Sequence, residues 1–199
     1  MRGIWLRHGE TEANARRCYL GHLDSALTEK GQEQVSLAAE LLGEAKAARL
    51  YTSDLGRCVE TAKVVGRILG LEPELDSRLR ELDFGQWDGK TYEEVMSSRN
   101  RAFLERWYKN PFEIAPPEGE TLCELGQRVD EWVEQTFAKT RSNETIIIVS
   151  HGGPIRWFQS RWLRGDSSTY WQTESVPPGG TLMAVWDGKQ FTLNKGAGV

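Results

Sequence analysis

The sequence predicts an α/β protein, a three-layer α/β/α sandwich built on a mostly parallel central sheet. Three observations carry this. Short runs rich in β-branched and aromatic residues recur along the chain. Segments with helical spacing of apolar residues fill the gaps between them. Strands that alternate with helices form crossover units, and these lay the strands parallel. The 199 residues suffice for one domain, 1–199, with a substantial core. No repeat, low-complexity tract or linker divides them.

Each element has its own signal. The first strand is expected at 3–6, "GIWL". A helix over 28–43 carries Val35, Ala38, Ala39 and Leu42 on one stripe. "RLYT", 49–52, reads as the next strand, and 55–69 as a helix with Cys58, Ala62, Val65 and Leu69 in line. Two T-x-x-E capping boxes, Thr91 with Glu94 and Thr121 with Glu124, each open a helix. The second of these runs near 122–140 and shows Leu125, Val129, Trp132, Val133 and Phe137. "TIIIVS", 145–150, is the most hydrophobic strand, and a last helix is expected to start at Pro154, a good first-turn residue. A closing pair, 181–186 and 191–194, is joined through Asp187-Gly188, a tight-turn signal. The stretch "NPFEIAPPEG", 110–119, reads as a surface loop near a site.

Composition narrows the function classes. Twenty-five Lys and Arg against 29 Asp and Glu leave a net charge of −4, which argues against a nucleic-acid partner. It leaves room for a local cluster of Arg around a small anion. Cys18, Cys58 and Cys123 are dispersed with no C-x-x-C pair, as expected for reduced thiols. No run approaches the ~18 apolar residues of a membrane span, and the first strand begins too near Met1 for a signal peptide. The expectation is a cytoplasmic protein, monomer or homodimer, without membrane partners. Eight Trp, scattered from Trp5 to Trp186, read mainly as packing.

The unusual residues fall at strand ends. "LRHGETEAN" puts Arg7 and His8 at the carboxyl end of the first strand, and "VSHGG" puts His151 at the carboxyl end of 145–150. Ligands of open α/β sheets bind beyond those ends. "TSDLGRCVETA" places Arg57 in the first turn of a helix. Free N–H groups and the dipole favour an anion there, and a cation is unfavourable unless an anion neutralises both. "RELDFGQWDG" supplies Glu81, a carboxyl able to give a proton, with Asp76 and Asp83 as nearby competitors. Taken singly, each has a plainer reading: His22 as a hydrogen-bonded structural residue, Arg57 as a surface residue. Yet His8 and His151, two of only three histidines, each end an apolar strand and each precede Gly. That pairing points to an anion site.

Together these segments resemble the histidine phosphatase superfamily, the phosphoglycerate-mutase-like proteins, through essentially the whole chain. "LRHGETEAN" is similar to the family's R-H-G-x-T-x-x-N signature, "SDLGRCVETA" to its S-x-L-x-R-A-x-x-T-A segment with Cys58 where Ala is usual, and "VSHGGPIR" to its second histidine motif. The resemblance implies a phosphoglycerate-mutase-like fold and His8 as nucleophile. It implies a phosphate pocket of Arg7, Arg57 and His151, with Asn14 and the Gly152 backbone as oxygen ligands, and Glu81 as proton donor. The implied enzyme is a phosphomonoesterase that needs neither metal nor cofactor and hydrolyses a small phosphorylated metabolite through a phosphohistidine. His8 must then be neutral, its other ring nitrogen held by a backbone carbonyl.

Mutases of the family carry a longer insertion between acid and second histidine; here Glu81 and His151 lie 70 positions apart, which favours hydrolysis. "ELDFGQWDG" and "PPEGET" are similar to the α-ribazole 5′-phosphate phosphatases of cobalamin biosynthesis and equally to broad-specificity bacterial phosphatases. A cofactor-dependent phosphoglycerate mutase is the alternative, and a non-catalytic phospho-ligand binding module a second. Trp107, Tyr108 and Phe112 either stack on a flat base of the substrate or pack the core.

Overall fold

The computed structural model describes residues 1–97 and 101–193. Its strands are β1 Arg2–Arg7, β2 Arg49–Thr52, β3 Pro73–Leu75, β4 Thr145–Ser150, β5 Thr181–Trp186 and β6 Phe191–Leu193. Its α-helices are α1 Glu12–Ala15, α2 Glu29–Leu42, α3 Gly56–Leu69, α4 Tyr92–Met96, α5 Arg101–Lys109, α6 Leu122–Lys139 and α7 Gly152–Phe158. Among the described residues the strands form one sheet in the order β3-β2-β4-β1-β5-β6. The first four are mutually parallel. β5 and β6 extend one edge antiparallel, so the sheet is mixed.

The apolar run "TIIIVS" takes the interior of the sheet because every residue of β4 is buried, as a parallel strand covered on both faces requires. Alternation along the strands divides the core in two. Ile146 and Ile148, with Trp5 of β1, meet Leu125, Val129 and Trp132 of α6 and Ile155 and Phe158 of α7. Ile147 and Val149, with Ile4 and Leu6, meet Ala38, Ala39 and Leu42 of α2 and Cys58, Ala62 and Val65 of α3. The apolar stripes read in the sequence are the faces these helices turn to the sheet. Both T-x-x-E boxes cap as expected, Thr91 at α4 and Thr121 at α6.

The structure departs from the sequence reading in three places. α7 starts at Gly152, not Pro154, because His151 takes the cap position with an extended backbone, φ −122°. Pro154 still stands in the first turn, where an N–H has no intrahelical partner to lose. β3 was not expected; it is a three-residue edge strand that begins with Pro, the position where Pro is tolerated. α1 is a four-residue helix held by a capping box between Thr11 and Asn14, too short for any periodicity. The closing hairpin turns through 187–190, the interval expected between its strands: Asp187 N–H donates to the Gln190 carbonyl at 3.3 Å, and Gly188 supplies φ 102°. Asn194, expected in that hairpin, lies outside the described residues. No helix among the described residues is long and apolar enough to cross a membrane.

Register is what positions the site. β1 and β4 run in step, with Arg7 opposite Ser150. The His8 N–H continues the ladder to the Ser150 carbonyl at 3.1 Å. His8 and His151 therefore leave the sheet side by side.

Candidate active site

The two imidazoles meet edge to face, with ring centroids 5.1 Å apart. His8 Nδ1 lies 2.7 Å from the Gly9 carbonyl. Nδ1–H donates to it, which leaves Nε2 as a lone pair without a hydrogen-bond partner among the described residues. Burial, and then the charges of Arg57 and Arg7, hold the His8 pKa well below the ordinary imidazole value. The ring is thus neutral and aimed by its backbone.

His151 is fixed at both nitrogens. Arg57 Nε–H donates to its Nδ1 at 3.2 Å, so Nε2 carries the proton and donates to Ser53 Oγ at 2.9 Å. Burial and the Arg57 charge push its pKa well down as well. Cys58 Sγ lies 3.3 Å from His151 Nε2 and donates to the Ser150 carbonyl at 3.5 Å. Burial pushes that thiol's pKa up, so it stays protonated and acts as packing.

Arg57 sits on the second residue of α3, whose cap residue Leu55 offers no side-chain bond to the helix start. Its two terminal nitrogens donate to the carbonyls of Leu23 at 3.0 Å and Gly21 at 2.6 Å. That loop is pinned in turn by Asp88, whose carboxylate accepts the Gly21 and Leu23 N–H groups, each at 2.8 Å. Arg7 donates to the Val176 carbonyl at 2.9 Å, while its buried Nε has no partner. Neither guanidinium forms an ion pair among the described residues. Burial lowers the pKa of both, as expected for cations stored away from water with no counter-ion in contact. An anion entering between them relieves that cost.

Glu81 faces this cradle across the start of α7. Its carboxylate accepts the Leu82 N–H at 2.8 Å and the Gly153 N–H at 3.0 and 3.1 Å. A Cβ at position 153 would stand 2.0 Å from Glu81 Oε1, so a larger residue there would displace the carboxyl group. The Glu81 carbonyl is held by Arg128 at 2.8 Å and by His22 Nε2–H at 3.0 Å. The competing acids are engaged elsewhere: Asp76 pairs with Arg78 at 2.6 Å, and Asp83 lies 3.5 Å from His22.

The remaining expected groups complete the arrangement. Gly152 is the first residue of α7, and a Cβ there would stand 3.4 Å from the Arg7 guanidinium carbon. Its N–H is one of the helix-start donors without an intrahelical partner. Asn14 accepts the Thr11 N–H through its side-chain oxygen at 3.2 Å, and its NH2 has no acceptor among the described residues. Asn14 and Arg7 share a cavity of about 440 Å³. All seven expected positions, Arg7, His8, Asn14, Arg57, Glu81, His151 and Gly152, thus gather at one end of the sheet.

The sequence reading missed Ser53, Asp88 and Arg128, which orient the others. Ser53 and Asp88 lie inside segments already singled out, but nothing in those segments marks the groups they would meet. Arg128 lies mid-helix in α6 and has no sequence signal. Of the three candidate stacking aromatics, Trp107 is buried in the core and Phe112 packs against it. Tyr108 alone lines the cavity. Among the described residues no group of three or more His, Cys, Asp or Glu is placed to hold a metal ion.

Comparison with known proteins shows the family and the fold. The family model for the histidine phosphatase superfamily (branch 1) matches residues 4–196. Phosphoserine phosphatase 1 of Hydrogenobacter thermophilus is 34% identical over 168 residues, which cover 84% of this chain and 79% of that protein. Glucosyl-3-phosphoglycerate phosphatase of Mycolicibacterium vanbaalenii is 35% identical over 158 residues, 76% of this chain and 69% of that protein. The crystal structure of the α-ribazole phosphatase from Shigella flexneri superposes with a TM-score of 0.88 at 26% identity, covering 98% of this chain and 95% of that one.

Proposed function

Because the chain belongs to branch 1 of the histidine phosphatase superfamily and so is an enzyme that hydrolyses phosphate esters, we propose that it acts on a small phosphorylated metabolite through a phosphohistidine at His8. The observation that carries this reading is the Nε2 lone pair of a neutral, buried His8, which has no hydrogen-bond partner among the described residues and is set beside two guanidiniums that form no ion pair among them.

In the first step His8 Nε2 attacks phosphorus while Glu81 gives its proton to the departing ester oxygen. The N–P bond forms as the P–O bond breaks, and the alcohol leaves. Arg7, Arg57, the Gly152 N–H and the Asn14 amide surround the equatorial oxygens, where charge spreads in the transition state. In the second step water attacks the phosphohistidine, Glu81 takes a proton from it, and inorganic phosphate leaves as the N–P bond breaks. Splitting one displacement into two lowers the barrier to each.

The short interval between Glu81 and His151 supports water as the acceptor over return of the phosphoryl group to the substrate. α-Ribazole 5′-phosphate is a candidate substrate through the Shigella structure, and phosphoserine and glucosyl-3-phosphoglycerate through the two sequence relatives. The test is release of nitrophenol from p-nitrophenyl phosphate in buffer without added metal. Turnover by the wild type, reduced on the order of 10³-fold or more in His8→Ala, is expected. Undiminished turnover in His8→Ala overturns the reading. Side-by-side measurement of free phosphate and isomerised product from 3-phosphoglycerate separates hydrolysis from mutase chemistry.

A further inference from the structure

The cavity beside Arg7 and Asn14 is walled by three tyrosines, Tyr19, Tyr92 and Tyr108, and by Arg17. Tyr19 and Tyr108 join their hydroxyls at 2.9 Å, and the Tyr92 ring meets the Tyr108 ring edge on. Only one of two linked hydroxyls donates within the pair, so the other keeps a hydrogen to offer outward.

Arg17 is the unusual member. It follows α1 in the left-handed region, φ 58°, at the position after a helix end that normally selects Gly. Its N–H donates to the Asn14 carbonyl at 2.9 Å, so the same turn seats Arg17 and Asn14. Its guanidinium has no ion-pair partner among the described residues. The cavity's own carboxylate, Glu10, is already engaged by Lys30 at 2.9 Å and Thr28 at 3.2 Å. Chain termination of α1 does not require Arg there, since Gly fits that backbone better. A cation kept in a disfavoured conformation on the wall of a site points to a ligand.

We propose that this cavity is the subsite for the leaving moiety of the substrate, and that Arg17 pairs there with a carboxylate on it. The substrate class is then a phosphomonoester of a small hydroxy acid. Guanidinium suits this role because its planar fork matches a carboxylate with two parallel N–H bonds. The inference rests on the phosphatase reading above.

The test uses two substrates that differ only at the group in question, 3-phosphoglycerate and glycerol 3-phosphate, with p-nitrophenyl phosphate as a third. Wild-type kcat/KM is expected to favour 3-phosphoglycerate by tenfold or more. Arg17→Gly, which relieves the backbone rather than straining it, is expected to collapse that ratio toward one chiefly through KM, and Arg17→Lys to restore part of it. Wild-type protein that turns over p-nitrophenyl phosphate but shows no preference within the pair overturns the subsite and leaves the phosphatase reading standing. So does Arg17→Gly with the preference intact. No turnover of any of the three overturns both.

Discussion

A histidine attacks phosphorus only while its imidazole is neutral, and at His8 two independent features secure that state. Burial and two neighbouring guanidiniums disfavour the proton, and the Gly9 carbonyl selects which nitrogen keeps one. The complementary task is the one proposed for Glu81, and the distinction between donating a proton and merely holding α7 in place is measurable. Glu81→Gln keeps the size of the side chain and removes the acid. Hydrolysis of an alkyl phosphate is expected to fall by roughly 10²–10⁴-fold. p-Nitrophenyl phosphate, whose phenolate leaves without help, is expected to fall far less; equal losses on both would assign Glu81 to positioning alone. In the proposed reacting centre, His8, His151 and Arg57 were legible in the sequence because their types are rare at such places: two of three histidines at strand ends, and an Arg against the dipole of a helix start. Asn14 and Gly152 came only through the family resemblance. Asp88 and Arg128 were not legible. They work on backbone carbonyls and N–H groups, and nothing in the identity of an acid or an Arg says which backbone it will meet.

Among the elements, what could be read followed length. α2, α3 and α6 span 14, 14 and 18 residues, enough for an apolar stripe to repeat, and β4 announces its burial on both faces. β3 and α1, with three and four residues, are set by neighbours rather than by pattern. The π-helical turn Gln159–Leu163 that continues α7 has no sequence signal either. The T-x-x-E box at α6 shows the opposite case, a local signal realised in full: Thr121 Oγ1 accepts the Glu124 N–H at 3.2 Å, and Glu124 accepts the Thr121 N–H at 2.7 Å. This cap borders Glu120, the partner of the Arg128 that holds Glu81. Thr121→Ala is expected to cost about 1 kcal/mol and to lower Tm by about 2–4 °C in a chain of this size. Thermal melts at neutral pH check this. A loss well beyond that range would mean that the cap also tensions the Glu120–Arg128 brace.

At one end of its sheet the molecule stores two neutral imidazoles beside two guanidiniums that form no ion pair among the described residues, and the imidazoles make its stability depend on pH in a definite direction. His8 and His151 both have folded-state pKa values well below the ordinary 6.5. Between those depressed values and 6.5, the unfolded chain binds protons that the folded chain refuses. Stability is therefore complete above about pH 6.5 and declines as pH falls through that window. Two such groups give a loss of about 3 kcal/mol between pH 7.5 and 5.5 if both rings stay neutral in the fold. The paired carboxylates do not blur this interval. Asp54 beside Arg80, and Asp76 beside Arg78, have pKa values held below the usual 3.8, so their contribution is lost only at much lower pH. Urea midpoints measured across pH 5.5–7.5 are expected to rise with pH, and His8→Gln or His151→Gln each to remove about half the slope. A profile flat across that range would mean that the rings accept protons in the folded state. The cradle would then already tolerate positive charge without an anion, and the attacking nitrogen would be blocked in mildly acidic solution.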